Sequence, residues 1–349
     1  MTPQKTHLSK PNSQIDTIFE SLESAGFPRS LQNMLLPEWV TPEVLSDDAA
    51  ASEIAVILAK RLGLRVSPLF AAKPQIEALR RRDVKYKRTI TSHSKDLMAA
   101  KTIAVSAAEA VASACRLEFR PFPCNASALR SEVLFSPAGG KWLGLRNLLM
   151  ACWSYGLPVI YLAGLGKGIA KMDGMVVYTA DRPVIILSKT SSLWAWQLFI
   201  LAHEIAHVVL GHISPGEILI DEELGEDSYA LKDEDLDERN ADMFAIELLN
   251  GRQDATYTVG NNKFNFRELA NTAYEYGMAN KVDPGHIVLN FANNTGQWDI
   301  GIAAAQELQG DNKSAPAVID EAMWGGIYQQ NLPLDTIEFL VRVTGSSHE

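Results

Sequence analysis

The fold is decided by residues 191–212, SSLWAWQLFILAHEIAHVVLGH. Two serines open the stretch, a mainly apolar run of helical length follows, and Gly211 stands near its end. This order of signals is typical of a buried helix. His203, Glu204 and His207 lie inside the apolar run, where polar side chains are costly to bury unless a metal or hydrogen-bond partners hold them. The stretch therefore predicts a central helix that carries a site.

The sequence His203-Glu204-Ile205-Ala206-His207 has the spacing of a zinc-hydrolase helix. Residues four apart project from one side of a helix, so both imidazoles can reach one metal ion about 2 Å away. Glu204 lies beside them and can take a proton from the attacking water as a general base. The alternative is a structural helix with two hydrogen-bonded core histidines, because a five-residue pattern also arises by chance. The apolar context favours the metal site.

A catalytic zinc site usually has three protein ligands, so a third is needed. His212 is the nearest candidate in sequence. Five residues beyond His207 correspond to about 140° of helical rotation, which points His212 away from the metal unless the helix has already ended at Gly211. The spacing therefore makes His212 a poor ligand.

A carboxylate pair further along the chain is a better source of the third ligand. Residues 237–249 follow a helical apolar pattern in which Glu238 and Asp242 stand four apart on one side. We predict that Glu238 completes a Zn²⁺ site with His203 and His207, and that Asp242 holds the other ring nitrogen of one of these histidines. The alternative for Glu238 is a solvated charge in the first turn of a helix.

The two helices together resemble the ImmA/IrrE family of metallopeptidases. The family signature H-E-[LI]-[AG]-H is found at residues 203–207, and its second motif, E-x-x-A-[ND]-x-F-A-x-x-L-L, at 238–249. Asn240 departs from many members, which have a second acidic residue there. Glu238, two places earlier, still matches the ligand position.

Weaker similarity extends the resemblance to roughly residues 140–295. The similar segments are three strand-like runs at 155–162, 172–178 and 182–187 and a short helical region at 276–288. The resemblance implies a zinc-dependent endopeptidase that cleaves a DNA-binding repressor or an antitoxin, in toxin–antitoxin pairs, mobile elements or stress responses.

Two features of the expected reaction stay open at the level of sequence. A second donor is expected to share the negative charge that develops on the substrate carbonyl, and Tyr178, His212 and His286 are unranked candidates for it. An extended substrate is expected to add to a free strand edge, either at the strand ending near Tyr178 or at residues 184–187.

Length and pattern predict an α+β fold that is mainly helical. We expect a small sheet packed on the helix with the HEIAH motif, and additional helical regions at both ends of the chain. A chain of 349 residues, 47% of them hydrophobic, can bury a sizeable core, and its length suggests two or three domains. We predict an N-terminal helical region at 1–90, which is either regulatory or similar to a helix-turn-helix, a peptidase domain at 91–295 and a C-terminal helical segment at 296–349.

The polar N-terminal residues and the cysteine pattern lead us to expect a cytoplasmic protein without a membrane segment. Residues 1–16 are polar and lack the apolar core of a secretory signal. Cys115, Cys124 and Cys152 are an odd count without C-x-x-C spacing, as expected of reduced thiols. Residues 147–166 carry no charge and are long enough to span a bilayer, but turn residues divide them into a helix end and a strand.

The net charge of −10 is concentrated in one segment. Residues 217–238 contain eleven acidic side chains against Lys232 alone. This segment is either a solvated loop or a surface that attracts a basic protein substrate. A basic cluster at Arg80, Arg81, Arg82, Lys85, Lys87 and Arg88 is better explained by a solvated helix end than by DNA contact.

Three functions are therefore in competition. The first is a cytoplasmic zinc endopeptidase that acts on a helix-turn-helix repressor or antitoxin. The second is a toxin–antitoxin or sensor module that uses the peptidase-like fold mainly for protein binding. The third and weakest is a regulator that binds DNA itself, which would require salt-dependent binding through Arg80 to Arg82.

Overall fold

The computed structural model describes most of the chain. The described residues are 13–71, 73–77, 79, 84–87, 94–137, 139–163, 173–179, 181–221, 236–258 and 265–346, with the backbone alone at 84–87, 94–99 and 221. Contacts divide the chain into two compact units. The first unit contains Met1–Arg81, Ser94–Ser106 and Leu165–Ile169, and the second contains Arg82–His93, Ala107–Gly164 and Ala170–Glu349.

The described residues form fourteen α-helices and five β-strands. The helices are α1 (Gln14–Ser24), α2 (Arg29–Leu35), α3 (Pro42–Leu45), α4 (Ala51–Arg61), α5 (Ser94–Ala114), α6 (Ala126–Phe135), α7 (Leu145–Ser154), α8 (Trp194–Val209), α9 (Leu236–Asn250), α10 (Phe266–Asn280), α11 (Pro284–Thr295), α12 (Trp298–Gln309), α13 (Ala315–Gly326) and α14 (Leu334–Thr344). The strands are β1 (Val84–Lys87), β2 (Val159–Tyr161), β3 (Gly174–Tyr178), β4 (Pro183–Leu187) and β5 (Ile218–Asp221).

The strands form one mixed sheet in the order β1-β5-β3-β4-β2. The strands β3 and β4 pair antiparallel, with Gly174 opposite Leu187 and Tyr178 opposite Pro183. The strand β5 is antiparallel to β3, whereas β1 and β2 run parallel to their neighbours β5 and β4. The predicted α+β, mainly helical fold is confirmed, including the helical regions toward both ends of the chain.

The expectation of a free strand edge at β3 or β4 is wrong. The strand β3 is hydrogen-bonded to β4 on one side and to β5 on the other, and β4 lies between β3 and β2. The residues 218–221 that form β5 stand beyond the metal-binding motif in sequence, and their pairing with β3 could not be read from local pattern. In the part of the chain that the structure describes, neighbouring strands therefore flank β3 and β4 on both sides and leave neither as an edge strand.

The helix α8 lies in the core of the second unit. Every residue from 195 to 207 is buried, as the apolar run predicted. The helix packs against β3 and β4 and also contacts α7, α9 and α11. Because apolar side chains surround α8, its polar residues are held in a nearly water-free environment.

A buried arginine fixes the end of α9. The guanidinium of Arg130 on α6 donates to the carbonyl oxygens of Leu248 and Leu249 at 2.9 and 2.7 Å. It also donates to the carbonyl oxygens of Asn280 and Lys281 at the end of α10, at 3.2 and 2.6 Å. Terminal helix carbonyls lack partners within their own helix, so one side chain satisfies the ends of two helices. Arg130 thereby anchors the helix that carries Glu238.

The first unit contains α1 to α4 and the beginning of α5. Its core includes Ile18, Phe19 and Leu58, and the amide of Gln32 donates to the carbonyl oxygens of Phe19 and Phe27 at 3.1 and 2.6 Å. The helix-turn-helix hypothesis for this region stays a prediction.

Two charged segments fall largely outside the described residues. In the basic cluster, Arg80, Arg81, Arg82 and Arg88 lie outside them, as do the side chains of Lys85 and Lys87. In the acidic segment, residues 222–235 lie outside them. None of the described helices combines the length and the apolar character that crossing a bilayer requires.

Candidate metal centre

Two helices bring His203, His207 and Glu238 together. His203 and His207 stand one turn apart on α8, and their Nε2 atoms are 3.0 Å from each other. Glu238, in the first turn of α9, places Oε2 3.5 Å from Nε2 of His203 and Oε1 3.4 Å from Nε2 of His207. All three side chains are buried. The structure thus brings together the three residues that the sequence proposed as ligands.

The spacing of these atoms fits a metal ion. Four ligands at about 2.0–2.1 Å in a tetrahedron stand roughly 3.3 Å from one another. The two Nε2 atoms are 3.0 Å apart and each lies 3.4–3.5 Å from one of the two oxygens of Glu238, which is close to that separation. Among the described residues, this is the group of histidine, cysteine and acidic side chains whose atoms lie close enough to hold an ion, all within 4.8 Å of one another. Two imidazoles and one carboxylate are also the donor set of many catalytic zinc sites.

A second side chain contacts Nδ1 of each of the two imidazoles, on the other side of the ring from Nε2. Nδ1 of His203 is 2.9 Å from Oδ1 of Asp242, so Glu238 and Asp242 contact opposite nitrogens of one ring. Nδ1 of His207 is 2.8 Å from Nδ1 of His212. The structure therefore places Asp242 where the sequence predicted it, and it places His212 against a proposed ligand.

The position of His212 follows from the end of α8. The helix stops at Val209, and Gly211 has a φ of +71°, in the left-handed region that favours glycine. The chain therefore turns back, and the backbone N–H of His212 donates to the carbonyl of His207 at 3.0 Å. The helix therefore ends before His212, which is the exception that the rotation argument allowed, and His212 is not part of the candidate metal group.

Glu204 lies against a glycine of the sheet. Its side chain is fully buried, and a Cβ atom built on Gly174 would lie 1.9 Å from Oε1 of Glu204 and 3.0 Å from Cγ2 of Ile200. Only a residue without a side chain allows the carboxylate to approach β3 this closely. Gly174 was missed in the sequence, because a glycine at the start of a strand gives no signal of what packs on it.

Tyr178, another predicted candidate, ends β3 and is half-buried. Its backbone N–H donates to the carbonyl of Glu217 at 3.0 Å, and its carbonyl accepts from the N–H of Gly216 at 3.2 Å. These bonds join the end of β3 to the segment that leads into β5.

His286 is enclosed in the core on α11. Its Nε2 is 3.0 Å from Nδ2 of Asn250, and its ring stacks on Phe199 at a centroid distance of 6.3 Å. Phe199 lies one helical turn before His203 on α8. His286 thus joins three helices, which favours a structural role.

Burial, together with a smaller effect of the charge of Arg130, lowers the pKa of His286 to about 3. The unfolded chain therefore takes up this proton at a higher pH than the folded chain. The stabilising effect of neutral His286 is complete above about pH 6.5 and declines as the pH falls toward 3, by roughly 2 kcal/mol between pH 6.5 and 5. We expect the difference in unfolding free energy between wild type and His286→Gln to shrink by that amount when denaturant titrations are repeated at pH 5.

The contribution of the nearby Asp283 to stability changes with pH in the opposite direction. Its contribution cancels in the difference between wild type and His286→Gln. Burial raises its pKa to about 6, against the hydrogen bonds from the backbone of His286 and Gly285 and from Trp142. Its contribution therefore grows as the pH falls from 6 toward 3.8. Both proteins retain Asp283, so a difference between them that does not change with pH would contradict the neutral state of His286.

Comparison with known proteins agrees with this geometry. Residues 154–254 match the family model of Peptidase_M78, described as an IrrE N-terminal-like domain. The matched segment contains β2 to β5, α8 and α9, and hence all three residues of the candidate metal group. A comparison with curated proteins finds none that matches the chain. The predicted resemblance is confirmed: residues 154–254 are similar to an IrrE N-terminal-like domain.

Proposed function

We propose that this protein is a cytoplasmic zinc endopeptidase. His203, His207 and Glu238 would hold Zn²⁺, and Glu204 would serve as the general base. The observation that carries the proposal is the short distance between the two Nε2 atoms and from each of them to a carboxylate oxygen of Glu238, which is close to the separation of ligands in a tetrahedral site although the side chains come from two different helices. The peptidase family match supports it.

The chain's own residues account for proton transfer and orientation. Bound zinc would supply Lewis-acid chemistry, which lowers the pKa of a coordinated water and polarises a peptide carbonyl. Glu204 would take the proton of the attacking water and return it to the leaving amine nitrogen. Its contact with Gly174 restricts where the carboxylate can lie, and Asp242 orients the ring of His203 through Nδ1.

The contacts of the three candidates, Tyr178, His212 and His286, bear on which of them could be the second donor to the developing oxyanion. His286 is enclosed between Asn250 and Phe199, and His212 is engaged with His207. Tyr178 is half-buried at the end of a strand.

The proposed substrate is a protein that regulates transcription, a helix-turn-helix repressor or an antitoxin, as the family resemblance implies. The acidic segment at 217–238 supports a basic partner, because opposite charge raises the rate of encounter.

Mapping of new protein N-termini by mass spectrometry tests this proposal. Cells that make wild type would be compared with cells that make equal amounts of Glu204→Gln. We expect internal cleavage of at least one DNA-binding regulator in the first sample alone. Identical sets of N-termini in both samples would argue against an endopeptidase and in favour of a binding module.

A further inference from the structure

The two proposed histidine ligands are supported by different kinds of side chain. His203 has the carboxylate of Asp242 behind it, at 2.9 Å, whereas His207 has the imidazole of His212, at 2.8 Å. A carboxylate can only accept a hydrogen bond, but a neutral imidazole accepts or donates according to its tautomer. The support of His207 therefore requires one particular proton arrangement.

That arrangement follows from the ligand role of His207. If Nε2 of His207 points its lone pair at a metal, its single proton lies on Nδ1 and is donated to His212. Nδ1 of His212 must then be free of a proton, and its own proton lies on Nε2. Nε2 of His212 is 3.6 Å from Oδ1 of Asp237, which is longer than a hydrogen bond but close enough for electrostatic attraction. The carboxylate favours the required tautomer.

The contact between His207 and His212 is shielded from solvent, whereas the contact between His212 and Asp237 is open to it. His207 is fully buried and His212 is 9% exposed, so water competes little for the bond between the two rings. The side chain of Asp237 is 48% exposed, so solvent weakens its attraction. Asp237 also directly precedes Glu238, and the first turn of α9 therefore contributes both the third ligand and this outer carboxylate.

We propose that His212 is a positioning residue that orients His207 for metal binding, with Asp237 selecting its tautomer. This inference rests on the proposed zinc site and reassigns His212, which the sequence left as a candidate donor to the oxyanion. It also gives Gly211 a role, because the left-handed turn at this glycine is what returns His212 to His207.

Zinc affinity measured by chelator competition tests the proposal. His212→Leu removes the acceptor, and we expect a loss of about 10- to 100-fold in affinity. His212→Asn keeps an acceptor, since the amide Oδ1 can take the place of Nδ1, and its affinity is expected to lie within a few-fold of wild type. Asp237→Asn is expected to have the smallest effect, because its contact is long and exposed.

Thermal unfolding of the metal-free variants separates positioning from simple structural support. If His212→Asn and His212→Leu lose stability equally and also lose zinc equally, the contact is structural and the proposal is wrong. If wild type binds zinc and His212→Leu binds it as tightly, the positioning role is wrong but the zinc site stands. A wild type that binds no zinc overturns both. Long-range proton–nitrogen NMR of the zinc-loaded protein should show the proton of His212 on Nε2, and a proton on Nδ1 would contradict the mechanism.

Discussion

Replacing Glu204 by Gln is expected to abolish proteolysis while zinc stays bound. The amide has the shape of the carboxylate and can occupy the same buried position beside Gly174, but it cannot accept the proton of the attacking water. General bases typically contribute 10²- to 10⁴-fold, so we expect the cleavage rate of a substrate to fall by at least about a hundredfold. The measurement is the rate of cleavage of an identified partner, with zinc content determined on the same samples.

This variant also separates the two main classes of function. A peptidase loses its biological effect in Glu204→Gln, whereas a toxin–antitoxin or sensor module that acts by binding tolerates the loss of the base. Zinc content and thermal stability similar to wild type are the control, since Glu204 is not one of the proposed ligands. Cleavage at the wild-type rate by Glu204→Gln would rule out the assigned base.

Replacing Gly174 by Ala is expected to reduce cleavage nearly as strongly, although Gly174 has no side chain to take part in the reaction. The new Cβ would lie 1.9 Å from Oε1 and 2.8 Å from Cδ of Glu204, so the carboxylate or the strand must move by more than 1 Å. A displacement of about 1 Å at a reacting group can cost on the order of a hundredfold in rate. We expect that loss in kcat, with zinc still bound through residues that Gly174 does not contact.

A matched substitution and a double variant test whether the effect acts through Glu204. Gly325→Ala adds the same methyl group where no heavy atom beyond the neighbouring residues and the local helix backbone lies within 4 Å, and it should leave the cleavage rate unchanged. In a Glu204→Gln background, Gly174→Ala should reduce the remaining rate little further, because the base it displaces is already gone. If the losses in activation free energy of the two single variants add in the double variant, Gly174 acts independently of Glu204.

The placement of the proposed ligands could be predicted from sequence because it depends mainly on helical periodicity. His203 and His207 are four apart, as are Glu238 and Asp242, and a spacing of four fixes which side of a helix a residue faces. When α8 and α9 pack against each other, the polar residues on their facing sides lie next to each other. The apolar run predicted α8 close to its observed bounds, and the family resemblance implied the strands β3 and β4.

The parts that were missed depend on how the chain turns and on contacts between distant segments. The contact of His212 with His207 was missed, because whether the helix would end before Gly211 and turn back depends on the positive φ of that glycine. The pairing of β5 with β3 closes an edge that appeared open, and it joins residues far apart in sequence. The space that Gly174 leaves for Glu204 depends on the distance between α8 and the sheet, which no local pattern records.

Elemental mass spectrometry of purified protein tests the central claim most directly. Wild type should contain about one zinc per chain, and Glu238→Ala should contain much less, because it removes one of three ligands. Glu247→Ala is the matched control on the same helix, since Glu247 contacts Gln253 and should leave zinc unchanged. No zinc in wild type after purification with added metal and without chelators, or equal zinc in wild type and Glu238→Ala, would contradict the proposed site.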